Sequence, residues 1–249
     1  MMIAIVIILS LINLFLWSEV FYRVFFKRFY DIVFSGSALL LLSPFFLVTA
    51  ILVRVRLGSP VFFKQERPGK DARIFKMYKF RTMLNPQTRD GRILTDKERL
   101  ECIEKGIDIM TDEERLPKIG KILRSTSVDE LPELWNIFIG DMSFVGPRPL
   151  ATIYLPYYSK EEMRRHLVRP GLTGWAQIHG RNYTSWKKRF EYDIFYVDNC
   201  SLFLDIKVLF QTVAVVFKRE GIGQGEERPI AFNIERQDEW NKGTVKKDR

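Results

Sequence analysis

Ser125-Thr-Ser-Val-Asp-Glu-Leu-Pro-Glu-Leu-Trp135, followed closely by Gly140-Asp-Met-Ser-Phe-Val-Gly-Pro-Arg-Pro149, decides how the rest of this chain is read. The two stretches put adjacent carboxylates, Asp129 and Glu130, between two arginines, Arg124 and Arg148. Gly146, Pro147 and Pro149 fix the backbone beside the second arginine. A buried core has no use for this mixture; a site that must hold a phosphate, a metal ion and a nucleophile together does. A plainer reading coexists with this one. Ser127 and Glu130 stand at capping-box spacing ahead of the apolar Leu131, Leu134 and Trp135, and acids in a first helical turn complement its positive end. Pro132 is tolerable there, because first-turn donors lack intrahelical partners. The readings are compatible, since helix N-termini also bind phosphate. Residues 131–139 are then expected as a helix that packs Leu134, Trp135 and Phe138 and ends at Gly140-Asp141.

Composition narrows the partners. The chain has 249 residues, with 39 basic against 30 acidic side chains and a net charge of +9. That excess suits lipid head groups, nucleotide phosphates or nucleic acid. Two cysteines, Cys102 and Cys200, make no disulfide framework, so a reducing, cytosolic setting is expected for the folded part. His166 and His179 lack metal-site spacing, and a zinc site is not expected. The sequence contains no nucleotide P-loop, dinucleotide fingerprint or internal repeat.

Upstream of the acidic pair the chain is apolar. Met1 to Trp17 is broken only by Ser10 and Asn13. No basic residues precede this run and no small-residue cleavage site follows it, so it reads as a retained membrane helix. Arg23, Lys27 and Arg28 come next, then a second apolar stretch from Phe29 to Val53 that closes at Arg54 and Arg56. Ser43-Pro44 interrupts it. Proline removes a backbone donor and kinks a helix, and the neighbouring serine can bond the freed carbonyl. Asp31 lies inside the apolar run, which is expensive in lipid unless it reaches the interface. Basic residues at both ends conflict with a full crossing under the positive-inside bias. A bent, re-entrant helix satisfies both clusters.

From Gly58 the composition is that of a globular domain. Residues 60–64 read as a strand, 67–70 as a turn, and 74–83 as a second strand whose alternation gives a basic face of Lys76, Arg81 and Lys79. Residues 85–117 read as an exposed loop with a short helix over 96–104. A brief helix over 118–123 delivers Arg124. A charged helix is expected over 159–168, then a turn and strand over 169–178. Thr184 or Ser185 can cap a helix carrying Trp186, Phe190 and Phe195. Ser201 can cap another over 202–217, apolar enough to be core or to lie on a membrane. After Arg219 the chain is polar and is expected to be mobile. The resulting division is a first membrane helix (1–22), a re-entrant helix (23–57), a cytosolic domain (58–218) and a polar tail (219–249). The fold class is α/β, mixed and helix-rich, with amphipathic interfacial helices.

Several marks occur together: the Ser43-Pro44 break, Tyr78-Lys-Phe-Arg-Thr-Met83, Arg124 with Ser127-Val-Asp-Glu-Leu131, the Gly140–Pro149 stretch, and Arg169-Pro-Gly-Leu-Thr-Gly-Trp-Ala-Gln177 with Gly180-Arg-Asn182. In this order and spacing the chain, from about Phe25 to Arg219, resembles the bacterial sugar transferase family, the monotopic phosphoglycosyl transferases. Met1 to about Phe21 is an addition relative to the short members. The resemblance implies transfer of a sugar 1-phosphate from a UDP-sugar to undecaprenyl or another polyprenol phosphate, with release of UMP, as the first membrane step of glycoconjugate assembly. It implies magnesium held by Asp129 and Glu130. Asp129 would be the nucleophile, forming an aspartyl phosphosugar, and Glu130 would hold the metal or handle a proton. Lys79, Arg81, Arg124, Arg148 and Arg181 would hold phosphate. Asp205 joins them because a carboxylate on an apolar helix needs a partner. The expected location is the bacterial inner membrane, catalytic domain on the cytosolic face, in contact with anionic lipids; the resemblance also admits a homodimer. Nucleic acid is not expected as a partner. A non-enzymatic basic module on lipid or nucleic acid would explain the charge and the anchor, but not the paired acids among arginines. A membrane-anchored hydrolase using Asp129 is the other rival.

Overall fold

The computed structural model describes residues 21–180, 184–217 and 230–243. The first apolar segment therefore lies outside the described residues, apart from its last two. In chain order the elements are α1 (Lys27–Leu41), entered through a π-turn at Tyr22–Phe26, α2 (Ser43–Leu57), β1 (Phe62–Pro68), β2 (Ile74–Phe80), α3 (Asp96–Glu104), α4 (Lys118–Ser125) and α5 (Glu133–Ile139). Then come β3 (Ser143–Val145), α6 (Lys160–Met163), β4 (Gly171–Thr173), α7 (Trp175–Gly180), α8 (Trp186–Asp198), α9 (Leu202–Phe217) and α10 (Phe232–Asn241). Among the described residues this is a mixed, helix-rich fold with two two-stranded sheets, β1–β2 and β3–β4. The described residues form two compact units. One takes those up to Ser37, Glu66–Lys76 and those from Trp135 on; the other takes Ala38–Gln65 and Met77–Leu134.

The second unit contains the helix break. Pro44 has no N–H for the Leu40 carbonyl, and the Ser43 hydroxyl donates to that carbonyl at 2.8 Å. The two helical segments bend by 63° there. No single described helix is long and apolar enough to cross a membrane, but this bent pair passes the same test together. Leu47, Val48, Ile51 and Val55 stand exposed on α2, while Val53 and Leu57 are buried against Phe80 and Leu123. Each such buried side chain contributes about 1.5–3 kcal/mol. α3 has the expected bounds, because Thr95 and Glu98 close a capping box.

β2 corrects the strand reading. Simple alternation puts Phe75, Met77, Lys79 and Arg81 on one parity and Lys76 on the other. Lys76 is exposed, Lys79 half-buried, and Arg81 only 7 % exposed. There is accordingly no continuous basic face. Arg81 donates to the carbonyls of Leu57 and Ser59, the latter at 2.8 Å, and to Asn85 Oδ1 at 2.6 Å. It thus caps the C-terminal end of α2, and burial together with Arg54 lowers its pKa.

The first unit holds the other end of the bent helix. Arg23 donates to the carbonyls of Asp198 and Cys200, and Arg28 to those of Ile137 and Phe138 at 2.7 Å each. The basic cluster thus binds the final carbonyls of α5 and the end of α8, where cations complement the helix dipole. Asp31, buried, accepts from Ser143 Oγ at 3.0 Å and Phe144 N at 3.1 Å. This pairing answers the cost of an acid in the apolar run. β3 and β4 run parallel, with Ser143 opposite Gly171 and Val145 opposite Thr173. A Cβ on Gly146 would come within 2.4 Å of the Arg169 carbonyl oxygen, so only glycine permits this approach.

Other expectations needed adjustment. Trp175-Ala-Gln-Ile178 begins a helix, not a strand, and residues 164–167 tighten into a 3-10 turn after the short α6. In α5, Leu134 and Ile137 are buried, whereas Trp135 and Phe138 stand 47 % and 36 % exposed. Ser185, not Thr184, caps α8. α9 divides the two roles considered for it: Leu204, Asp205 and Val208 are buried, while Phe203, Ile206, Phe210 and Val213 line an exposed face. The polar tail contains α10, whose Phe232 is 1 % exposed in a cluster with Tyr158, Trp186 and Phe190. Phe232, the Arg236–Glu162 ion pair and the stacking of Trp240 on Tyr157 hold a helix in a stretch whose composition alone reads as mobile.

Candidate active site

The acidic pair sits in a 3-10 turn, Val128–Glu130, between α4 and α5. The expected capping box does not form. Ser127 adopts a left-handed backbone, φ 56° and ψ 18°, and its side chain makes no cap hydrogen bond. Pro132 delays the α-helix to Glu133. Glu130 meets the Lys79 ammonium at 2.6 Å, and Glu133 meets the same ammonium at 3.0 Å. Glu130 and Glu133, three residues apart, thus face β2 together. Glu133 was not among the residues expected at the site, although its i,i+3 spacing from Glu130 was visible.

Asp129 is set apart from Glu130 by its surroundings. Burial and the neighbouring Glu130 carboxylate raise its pKa, and Lys79 and Arg124 oppose them without cancelling them. Arg124 is fixed from the last turn of α4 by its Nε, which donates to Thr82 Oγ1 at 2.9 Å. Gly120 makes room for this helix against the strand end: a Cβ there would lie 2.0 Å from the Thr82 carbonyl oxygen. The unit thus brings together Lys79, Arg124, Asp129 and Glu130, with Glu133 and Thr82 added.

The remaining expected residues are placed differently. Arg148 belongs to the other unit; its side chain is exposed while Pro147 and Pro149 on either side are buried. Arg181 lies outside the described residues. Arg81 is a buried helix cap, as above, with all its observed partners internal. Asp205 is likewise a correction. It is 6 % exposed and accepts from Tyr22 Oη at 2.6 Å, from Tyr196 Oη at 2.6 Å and from the Lys27 ammonium. The partner that a carboxylate on an apolar helix requires is supplied by the chain itself. This cluster bolts α9 and α8 to the start of the bent helix.

Magnesium can be tested against the donor set. Asp129 and Glu130 offer hard oxygen ligands, the type this ion takes. Among the described residues no group of three or more His, Cys, Asp or Glu is arranged to hold a metal ion. One or two carboxylates, with the remaining positions left to water and substrate phosphate, is the usual magnesium site. The pair fits the ion on that basis.

Comparison with known proteins supplies the family. The model of the bacterial sugar transferase family matches residues 22–219. The chain is 48% identical over 198 residues to the uncharacterized sugar transferase EpsL of Bacillus subtilis (strain 168), covering 80% of this chain and 90% of that protein. It is 41% identical over 196 residues to the UDP-glucose:undecaprenyl-phosphate glucose-1-phosphate transferase of Klebsiella pneumoniae, covering 76% of this chain. It is 35% identical over 198 residues to the UDP-N-acetylgalactosamine-undecaprenyl-phosphate N-acetylgalactosaminephosphotransferase of Aeromonas hydrophila, covering 77% of this chain. The chain spans 39% and 44% of the length of these last two. It belongs to the bacterial sugar transferase family.

Proposed function

We propose that the protein transfers a sugar 1-phosphate from a UDP-sugar to undecaprenyl phosphate, with Asp129 as the nucleophile. The observation that carries the reading is the half-buried Asp129 between Glu130 and the cations Lys79 and Arg124. A carboxylate attacks an anionic phosphate only where cations quench the repulsion between them. Bound magnesium would be held by Asp129 and Glu130 and would add Lewis-acid charge neutralisation at the diphosphate.

The chemistry balances in two displacements. A carboxylate oxygen of Asp129 bonds to the β-phosphorus of the donor. The bond from that phosphorus to the bridging oxygen breaks, and its electron pair leaves with UMP. An oxygen of the lipid phosphate then attacks the same phosphorus. The bond to Asp129 breaks, its electron pair returns to the carboxylate, and the polyprenyl diphosphate sugar leaves. Arg124 contributes a planar fork suited to phosphate oxygens, and Lys79 holds Glu130 and Glu133 in place.

The bent pair α1–α2 is proposed as a re-entrant membrane helix. Its two ends are tied to different units, by Arg23 and Arg28 at one end and by Arg81 at the other. Arg54 and Arg56 close the second end as Arg23, Lys27 and Arg28 precede the first, and the positive-inside bias then favours both ends on the cytosolic face of the inner membrane. The exposed faces of α2 and α9 are apolar and suit lipid, with the +9 charge favouring anionic head groups.

The test of the nucleophile is covalent. Membrane-embedded protein with magnesium and UDP-galactose, without lipid acceptor, is expected to gain the mass of a hexose phosphate on the peptide containing Asp129. If UDP-galactose is not accepted, UDP-glucose and UDP-N-acetylgalactosamine replace it. Turnover with an accepted donor while that peptide stays unmodified in rapidly quenched samples overturns the assignment.

A further inference from the structure

The two cations that act on Asp129, Lys79 and Arg124, both depend on β2. Lys79 lies on the strand itself, and Arg124, from the last turn of α4, reaches Thr82 just past the strand's end. All of these residues belong to one compact unit. Thr82 is buried, 6% exposed, whereas the Arg124 side chain is exposed. A hydroxyl in such a place carries a desolvation cost that its hydrogen bond must answer.

The backbone around this contact is fixed from two sides. Gly120 has no Cβ where one would strike the Thr82 carbonyl, so α4 sits directly on that peptide. Leu123, the residue before Arg124, is buried with Val53, Leu57 and Phe80, and Ile119 and Val128 pack on the same cluster. Val128 precedes Asp129. One apolar cluster thus seats both the helix end that carries Arg124 and the turn that carries the acid. From that seat Arg124 Nε donates to Thr82 Oγ1 at 2.9 Å, and among the described residues this is the one hydrogen bond the guanidinium makes. A guanidinium can grip a phosphate by either of two edges. One pairs Nε–H with a neighbouring Nη–H; the other pairs Nη1 with Nη2. Thr82 occupies Nε, which closes the first edge and leaves the second open.

We infer that Thr82 is a positioning residue for Arg124: its buried hydroxyl takes the Nε–H, so that the Nη1–Nη2 edge alone grips two oxygens of the nucleotide sugar's diphosphate beside Asp129. This rests on the reading of Arg124 as a phosphate ligand given above. Thr82 itself does not meet substrate. It removes rotamer freedom that an exposed arginine would otherwise lose on binding, and it excludes the competing edge.

The test compares five forms of the full-length, membrane-embedded protein: native, Thr82→Val, Thr82→Ser, Arg124→Ala and the double variant Thr82→Val/Arg124→Ala. Each is assayed with magnesium, undecaprenyl phosphate and whichever of UDP-glucose, UDP-galactose and UDP-N-acetylgalactosamine is turned over fastest, and thermal midpoints check folding. Arg124→Ala is expected to lower kcat/KM for the UDP-sugar about a hundredfold, and Thr82→Val about tenfold. Valine keeps the methyl group and loses the hydroxyl; serine keeps the hydroxyl and loses the methyl. Thr82→Ser is therefore expected to recover most of the loss. In the Arg124→Ala background Thr82→Val is expected to add little, because both act through one side chain. A loss in Thr82→Ser as large as in Thr82→Val, an unchanged kcat/KM in Thr82→Val, or an equal further loss in the Arg124→Ala background overturns the positioning role. If Thr82→Val fails to fold, Thr82→Ala set against Thr82→Ser isolates the hydroxyl in the same way. An unchanged kcat/KM in Arg124→Ala overturns the reading of Arg124 itself, which separates the two failures.

Discussion

Asp129 carries its charge against two opposing influences, burial and the carboxylate beside it, which Lys79, Arg124 and a backbone hydrogen bond relieve only in part. Its folded pKa is raised above the ordinary 3.8. The folded carboxyl therefore holds its proton more tightly than the unfolded one. Ionising it costs stability; that cost is complete above the folded pKa and vanishes below the unfolded one. Asp129→Asn removes the charge, so at neutral pH it is expected to melt at a higher temperature than the native protein while losing turnover. A lower midpoint in thermal melts contradicts this account of its environment. Activity has the opposite sense. The attacking form is the carboxylate, so kcat/KM should fall as pH drops through the folded pKa, at a pH above the ordinary aspartate value. Arg81 and Asp205 show what residue types alone cannot tell. Both are charged residues near apolar segments, and charge alone marks them as site candidates. Beside the nearer Asn85 and Tyr196, each has partners 22 or more positions away, Leu57 and Ser59 for Arg81, Tyr22 and Lys27 for Asp205. Such pairings exist only once the chain is folded. Lys79, Arg124, Asp129 and Glu130 were legible because they are close in the folded unit and three of them are close in sequence.

At the level of elements, local chemistry was legible where it stayed local. Thr95 with Glu98 fixed α3, Ser185 began α8, and Ser43-Pro44 broke the apolar helix where expected. It failed where a tertiary partner intervened: Ser127 and Glu130 have capping-box spacing, but Lys79 draws Glu130 away. The break itself can be tested. Pro44→Ala restores the missing donor, so the two helices should straighten and the re-entrant path should weaken. With Cys102 and Cys200 replaced, single cysteines at Val24 and Lys64 in sealed membranes report the outcome. Both sites should label from the same face in the native sequence, and that shared accessibility should be lost or mixed in Pro44→Ala. Unchanged labelling in the variant argues against the role given to proline. α10 offers a second test. Phe232 is almost fully buried among Tyr158, Trp186 and Phe190, and Arg236 pairs with Glu162 at 2.6 Å. Phe232→Ala is expected to cost about 3 kcal/mol or more, read from denaturant or thermal melts. A loss below about 1 kcal/mol would mean that α10 is only loosely attached.

Taken as a whole, the chain carries a bent apolar helix pair and an acid pair among cations. The basic residues that precede the apolar stretch, Arg23, Lys27 and Arg28, read from sequence as topology signals, bind helix ends and Asp205. This fixes the start of the bent helix within the first unit. The most direct test is UMP release by membrane-embedded protein with magnesium, using UDP-glucose, UDP-galactose and UDP-N-acetylgalactosamine in turn, with and without undecaprenyl phosphate. With an accepted sugar, the account predicts at most one UMP per protein without the lipid, repeated turnover with it, and neither in Asp129→Asn. Sustained UMP release without lipid, or full turnover in Asp129→Asn, would contradict it.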